Sequence, residues 1–311
     1  MKPIRIGSRR SELALRQTHW VRERLQSATE RPVEIHTFVT KGDRILDVTL
    51  SKVGGKGLFV KEIEDAMLQG GIDLAVHSMK DVPAQLPPGL CLGAVSLRED
   101  ARDCWISKNN IPFFQLPSGA KVGTSSLRRQ AQIRRLRPDV VVVPLGGNLG
   151  TRLRKLDETD LDGIVLAAAG LHRLGWEERV TEYFSPEQFI PAVGQGALGI
   201  ECREDDEEIR ELLKVVHDTQ TAHCVQAERA FLRRLEGSCQ VPLGAYARWE
   251  NGRIVVDGFV ATPDGERFLR ATQEGTDPEA VGVGLAEDLL AAGAGDILCQ
   301  VLAENERLHR P

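Results

Sequence analysis

No stretch of the 311 residues comes near the roughly 18 apolar residues of a membrane span. The opening Met1-Lys2-Pro3-Ile4-Arg5 lacks a signal peptide's apolar core, so a cytoplasmic protein with no membrane partner is expected. There is no basic excess. Forty Lys and Arg stand against 45 Asp and Glu, for a net charge of -5, which speaks against a general nucleic-acid binder. The densest basic run, between residues 128 and 137, has no aromatic residues interleaved for stacking on bases. The six cysteines form no CxxC pair, so neither a zinc knuckle nor a redox motif is expected, and no metal. His217, His223 and Cys224 lie close in sequence but have no second cluster to complete a site. The GxxxxGK[ST] spacing of a phosphate loop is absent as well.

What is present is an alternation of short apolar runs with amphipathic stretches, in a chain long enough for two or three domains. Strands are predicted over residues 4–7, 33–39, 74–76 and 90–95. Ser11 caps a helix to about Leu25, and a second helix runs from Leu58 to about Gln69. This order calls for a largely parallel sheet. A crossing at residues 97–100 leads to a second unit of the same kind, with strands at 104–107, 121–123, 140–144 and 163–166. From Leu243 the pattern changes to three strands followed by two helices, a small α+β unit.

One stretch organises the rest: Leu74-Ala75-Val76-His77-Ser78-Met79-Lys80-Asp81-Val82-Pro83. An apolar strand opens into a polar turn and is stopped by proline, and such strand ends carry ligand chemistry in open α/β sheets. Three similar places follow. Arg9 and Ser11 sit between a strand and a helix start. Thr124-Ser125-Ser126-Leu127-Arg128-Arg129 puts hydroxyls and guanidiniums at a helix N-terminus, where backbone N–H groups also favour an anion. Gly146-Gly147-Asn148-Leu149-Gly150-Thr151-Arg152 repeats the pattern, and Arg173 ends a helix of small residues. Arg134, Arg135 and Arg137 lie farther along and are expected on the surface. Lys52 and Lys56 lie in a stretch with three glycines in four residues, which predicts a mobile loop. Eight basic residues at loops and helix starts of an acidic chain suggest a cleft for a polycarboxylate or polyphosphate. Asp81 is the carboxylate among them, suited to offsetting a transient cation.

The motifs VGGKGLFVKE, AVHSMKDVP, VGTSSLRRQ, GNLGTRL, AAAGLHRLG, PAVGQGALGIECR, AERAFLRRLEG and SCQVPLGAYA run through the chain in order. Together they resemble the porphobilinogen deaminase (hydroxymethylbilane synthase) family over essentially the whole length. The resemblance implies an α/β fold of three domains: two resembling type II periplasmic binding proteins, plus a small C-terminal α+β domain. The expected division is residues 1–97 plus 197–216, residues 98–196, and residues 217–311. It implies a monomeric transferase of tetrapyrrole (heme) biosynthesis that joins four porphobilinogen molecules head to tail, releasing ammonia, to give hydroxymethylbilane. The chain grows on a dipyrromethane cofactor held by a thioether to Cys239. Asp81 and Lys80 carry over as catalytic residues. With Ser78, Thr124, Ser125, Ser126, Arg128, Arg129 and Gly147 they also hold the cofactor. Arg9, Ser11, Gln17, Arg152 and Arg173 carry over as substrate contacts, and Lys52 and Lys56 as the loop over the cleft.

One departure stands out. The family usually reads L-R-G-N where this chain has Leu145-Gly146-Gly147-Asn148. Either a carboxylate contact is lost, on the order of 1–3 kcal/mol for a charged hydrogen bond, or Arg152 or another basic residue supplies it. The alternatives are therefore a weakly active homologue, or a non-catalytic binder of an anionic ligand using the same two-domain clamp.

Overall fold

The computed structural model describes residues 1–44, 59–235 and 241–308. Strand β1 (Ile4–Arg9) turns through Ser11 into α1 (Glu12–Gln26), where the Ser11 side chain accepts the Ala14 N–H as a helix cap. Ala14, Val21 and Leu25 bury the inner stripe of α1. Strand β2 (Val33–Phe38) pairs parallel to β1, and a short α2 (Lys41–Arg44) follows. Helix α3 (Lys61–Leu68) buries Ile63 and Met67. Next come β3 (Leu74–Ser78), parallel to β1, and β4 (Leu90–Val95).

The chain then leaves this sheet and builds another. Its elements are β5 (Asp103–Ser107), β6 (Lys121–Gly123), α4 (Leu127–Leu136), β7 (Val141–Val143), α5 (Leu149–Glu158), β8 (Gly163–Ala167), α6 (Ala168–Leu174) and β9 (Glu182–Tyr183), the last a two-residue strand that periodicity does not reveal. The strand order is β7-β6-β8-β5-β9. The chain returns as β10 (Leu198–Arg203), which enters the first sheet to complete β2-β1-β3-β10-β4.

Each sheet is largely parallel, with four strands running one way and a single strand reversed. Strand β10 runs antiparallel to both β3 and β4, and β5 runs antiparallel to both β8 and β9. The cause is the double crossing. Each strand that follows a crossing starts at the rim where its neighbour ends: Leu198 pairs with Ser78, and Asp103 with Ala167. The two crossings bond to each other, Ser96 N–H to Leu198 O at 3.1 Å and Glu99 N–H to Gly196 O at 3.1 Å.

Helices α7 (Glu207–Leu212) and α8 (Thr219–Arg234) lead to the antiparallel sheet β11 (Leu243–Glu250), β12 (Arg253–Ala261) and β13 (Phe268–Gly275). Helices α9 (Pro278–Ala291) and α10 (Ala294–Leu308) follow. Phe231, Val256, Leu285 and Ile297 belong to the core of this third unit. Glu228 of α8 accepts two bonds from Arg98 (2.6 and 3.1 Å), one from Gly194 N–H (2.6 Å) and one from Ala247 N–H (2.7 Å), tying both crossings to the third unit.

Two of the arginines expected on the surface also face the third unit. Arg134 donates to Pro263 O at 2.7 Å and Arg135 lies 4.5 Å over the Phe268 ring. Arg137 is half-buried, bonded to Phe113 O, Leu116 O and Asp139. Their long side chains cover apolar surface and reach carbonyls that lack a sheet partner.

Candidate active site

The end of β3 is built to present two side chains. Leu74, Ala75 and Val76 are buried on both faces of the sheet. The next residues form a single 3₁₀ turn, Met79–Asp81. Met79 donates its N–H to Ala197 O at 2.9 Å, and Val82 closes the turn on Met79 O at 3.1 Å. Met79 and Val82 are buried together, so the turn is nailed down at both ends, with Lys80 exposed and Asp81 half-buried between them.

Across from this turn stands the start of α4. Ser126 caps it by accepting the Arg129 N–H, Thr124 Oγ1 accepts the Ser126 N–H at 3.2 Å, and Ser125 Oγ accepts the Leu145 N–H at 2.9 Å. Accepting in this way leaves each hydroxyl's own hydrogen available to donate.

The two arginines there already have an anion. Arg128 reaches Asp103 with Nη1 (2.7 Å) and Nη2 (3.1 Å) and also donates to Ile190 O at 2.7 Å. Arg129 reaches the same carboxylate with Nε (2.9 Å) and Nη2 (2.8 Å). Burial pushes the Asp103 carboxyl up, but the two guanidiniums overcome this and hold it down at about 2. The charges read from the sequence as waiting for an external anion are thus partly satisfied from within. Sequence reasoning missed Asp103, although an acid heading the apolar strand Asp103-Cys104-Trp105-Ile106 needs a cationic partner.

The remaining cations are less well balanced. Lys80 is exposed as a residue, yet protein packed around its ammonium pushes it down to about 8 by desolvation and by Arg129, with Asp81 and Asp103 opposing. Arg152 is pushed down to about 10 by burial and by Arg129, against the attraction of Asp81. Arg152 turns its Nε back onto Gly147 O at 2.8 Å. Gly147 sits at φ 106°, where a Cβ would meet Thr151 Cγ2 at 2.6 Å, so only glycine fits. Lys155 places its Nζ 3.5 Å from Gly146 O, so a basic side chain stands at the turn where the family's arginine is missing.

Arg173, also lowered to about 10 by burial, donates to Gln17 Oε1 at 3.0 Å and to Gly196 O at 2.6 Å. Ser78 Oγ donates to the same Gln17 oxygen at 3.1 Å. Gln17, held by Ser78 within the first unit, therefore links that unit to Arg173 of the second. Arg9 lies 4.3 Å over the Phe59 ring, and Ser11 serves as the α1 cap. Lys52, Lys56 and Cys239 lie outside the described residues. The structure brings Lys80, Asp81, Arg128, Arg129 and Arg152 into one electrostatic neighbourhood, with Asp103 beneath the two α4 arginines. Arg173, Gln17 and Ser78 form a separate strut beside it.

Behind β3 lies a buried acid–base cluster. His77 Nε2 is 2.7 Å from Glu201 Oε2 in a close contact that lacks the alignment of a hydrogen bond. Glu64 is pushed up to about 7 by burial and then by the Glu201 charge, with His77 opposing. A carboxyl raised in the folded state holds its proton more tightly there than when unfolded. Its contribution is intact below the unfolded value near 4.5 and is lost as pH rises through about 7. Glu64→Gln, which keeps the neutral shape, is therefore expected to gain stability over the parent at pH 8, on the order of 3 kcal/mol. The gain should vanish by about pH 4.5. Urea midpoints at the two pH values check this, and an equal difference at both would refute it.

A family model described as porphobilinogen deaminase, dipyromethane cofactor binding domain, matches residues 4–211, and one described as porphobilinogen deaminase, C-terminal domain, matches residues 222–291. The chain belongs to the porphobilinogen deaminase family. The porphobilinogen deaminase of Brevibacillus brevis is 54% identical over 305 residues, covering 97% of this chain and 99% of that one. That of Oceanobacillus iheyensis is 53% identical, covering 99% and 100%. That of Halalkalibacterium halodurans is 55% identical, covering 97% and 98%. Among solved structures, the periplasmic aliphatic sulphonate binding protein SsuA from Escherichia coli aligns at 14% identity and a TM-score of 0.41, covering 76% of this chain and 71% of that one.

The donor set suits the cofactor of porphobilinogen deaminases. Desolvation by surrounding protein and like charge depress Lys80 and Arg152, and carboxylate arms beside them would favour the charged forms.

Proposed function

We propose that the cleft between the first two sheets is where four porphobilinogen molecules are condensed head to tail into hydroxymethylbilane, with release of ammonia. The observation that carries this is the Lys80–Asp81 turn of the first sheet sharing one field with Arg129 and Arg152 of the second. In this reading the division is residues 1–97 plus 197–216, 98–196, and 217–311, acting as a cytoplasmic monomer without nucleic acid.

Dipyrromethane, joined to Cys239, supplies the primer on which the product grows. Lys80, Arg128, Arg129 and the hydroxyls of Thr124, Ser125 and Ser126 hold its acid arms, and Arg9, Arg152 and Arg173 take those of the substrate. Asp81 accepts pyrrole N–H bonds and offsets the azafulvenium cation left when porphobilinogen loses ammonia. An ionised carboxylate fixed in a partly desolvated cleft does this without reorganising. Arg152 and Lys155 stand in for the arginine missing at Gly146.

The test is the intact mass of protein from cells that make porphobilinogen. It should exceed the sequence mass by two linked pyrroles, and Cys239→Ala should remove the excess. A bare parent chain would favour a non-catalytic anion binder instead.

A further inference from the structure

We infer that Arg229, on the helix leading to the cofactor-bearing segment, is a positioning residue for Asp81; this rests on the cleft reading above. Arg229 lies in α8, is only 6% exposed, and spends its guanidinium on backbone carbonyls. Nη1 donates to Val82 O at 3.2 Å, and Nη2 donates to Pro83 O at 2.7 Å and Ala84 O at 3.3 Å. One turn earlier on the same helix, Val225 packs with Met79 and Val82.

The chain from Val82 to Ala84 is neither helix nor strand, so its carbonyls have no ladder to join. Pro83 also removes a donor. Buried carbonyls need partners, and here a single planar fork collects three in succession. The consequence lies one residue upstream. The Val82 N–H closes the turn on Met79 O, while the Val82 carbonyl, in the next peptide unit, is held by Arg229, so the fork anchors the residue that bounds the Asp81 turn. Without the fork, the peptides of residues 82–84 can rotate toward water, and the turn loses its downstream anchor. A displacement of about 1 Å at a catalytic group can cost about 100-fold in rate.

The experiment compares Arg229→Met, Arg229→Lys and Asp81→Ala with the parent. It measures the loaded fraction by intact mass, kcat per loaded molecule, KM, and amide exchange of residues 79–85. Arg229→Met is expected to load cofactor, to lose about 10- to 100-fold in kcat per loaded molecule with KM little changed, and to exchange faster in residues 79–85. Arg229→Lys, which keeps one donor to the carbonyls, should fall between. A residue that only stabilises the fold would lower the melting temperature and leave kcat per loaded molecule at the parent value, and that result overturns the inference. Should Arg229→Met fail to fold, the kcat of Arg229→Lys decides in the same way. Full turnover in Asp81→Ala would instead unseat the cleft reading. An inactive Asp81→Ala beside an unimpaired Arg229→Lys would unseat only the role of Arg229.

Discussion

Asp81→Ala is expected to lower hydroxymethylbilane formation by at least about 100-fold, the scale seen when one preorganised electrostatic group is removed from an active site. The side chain is half-buried at the end of a pinned turn, and neither buried neighbour of the turn depends on it. Removing it should therefore leave the fold intact. Its loss is electrostatic. Arg152 and Lys80 each count Asp81 among the charges that keep their protons on, so without it both cations become harder to hold. The measurement is turnover of purified, folded variant against the parent, with Asp81→Glu alongside. The longer acid keeps the charge but moves it, so it should retain part of the activity. If Asp81→Ala makes product at the parent rate, the chemistry lies elsewhere.

The turn itself was legible in the sequence because it needed only local rules. A buried apolar run, a polar step and a proline predict a strand end whatever surrounds them. The same holds for Ser11 and Ser126, each of which caps its helix in the structure. What was not legible depends on partners distant along the chain. Periodicity cannot state direction, so nothing local shows β10 entering antiparallel between β3 and β4. The pair Arg128 and Arg129 was visible as charge at a helix start, but the carboxylate it serves lies 25 residues upstream of Arg128. The Gln17 strut spans 156 residues to Arg173, and the guanidinium that gathers the carbonyls after Asp81 comes from 147 residues beyond Val82. Cavity-lining residues could be nominated by type, whereas the supports that aim them come from whatever element the fold lays alongside.

Asp103→Asn puts the largest of those missed supports to the test. The carboxylate is fully buried, and three hydrogen bonds and a further close ion contact from two guanidiniums converge on it. Exchanging it for an amide leaves two buried cations with no counter-charge, and breaking a buried pair in this way costs about 3–5 kcal/mol. The amide also presents its own N–H groups to donors, so repulsion replaces attraction. The parent's pH behaviour follows from the same pair. A carboxyl held at about 2 against an ordinary value of 3.8 contributes stability that is present above 3.8 and is lost as pH falls through about 2. Asp103→Asn should therefore unfold at lower urea than the parent near pH 7, and the gap should narrow on acidification. Cofactor loading should suffer as well, since Arg128 and Arg129 are aimed by Asp103 and not by the ligand. If the variant instead matches the parent in urea midpoint and in loaded mass, the α4 guanidiniums are held by their other contacts, and the ligand's own acid arms would have to be what orders them.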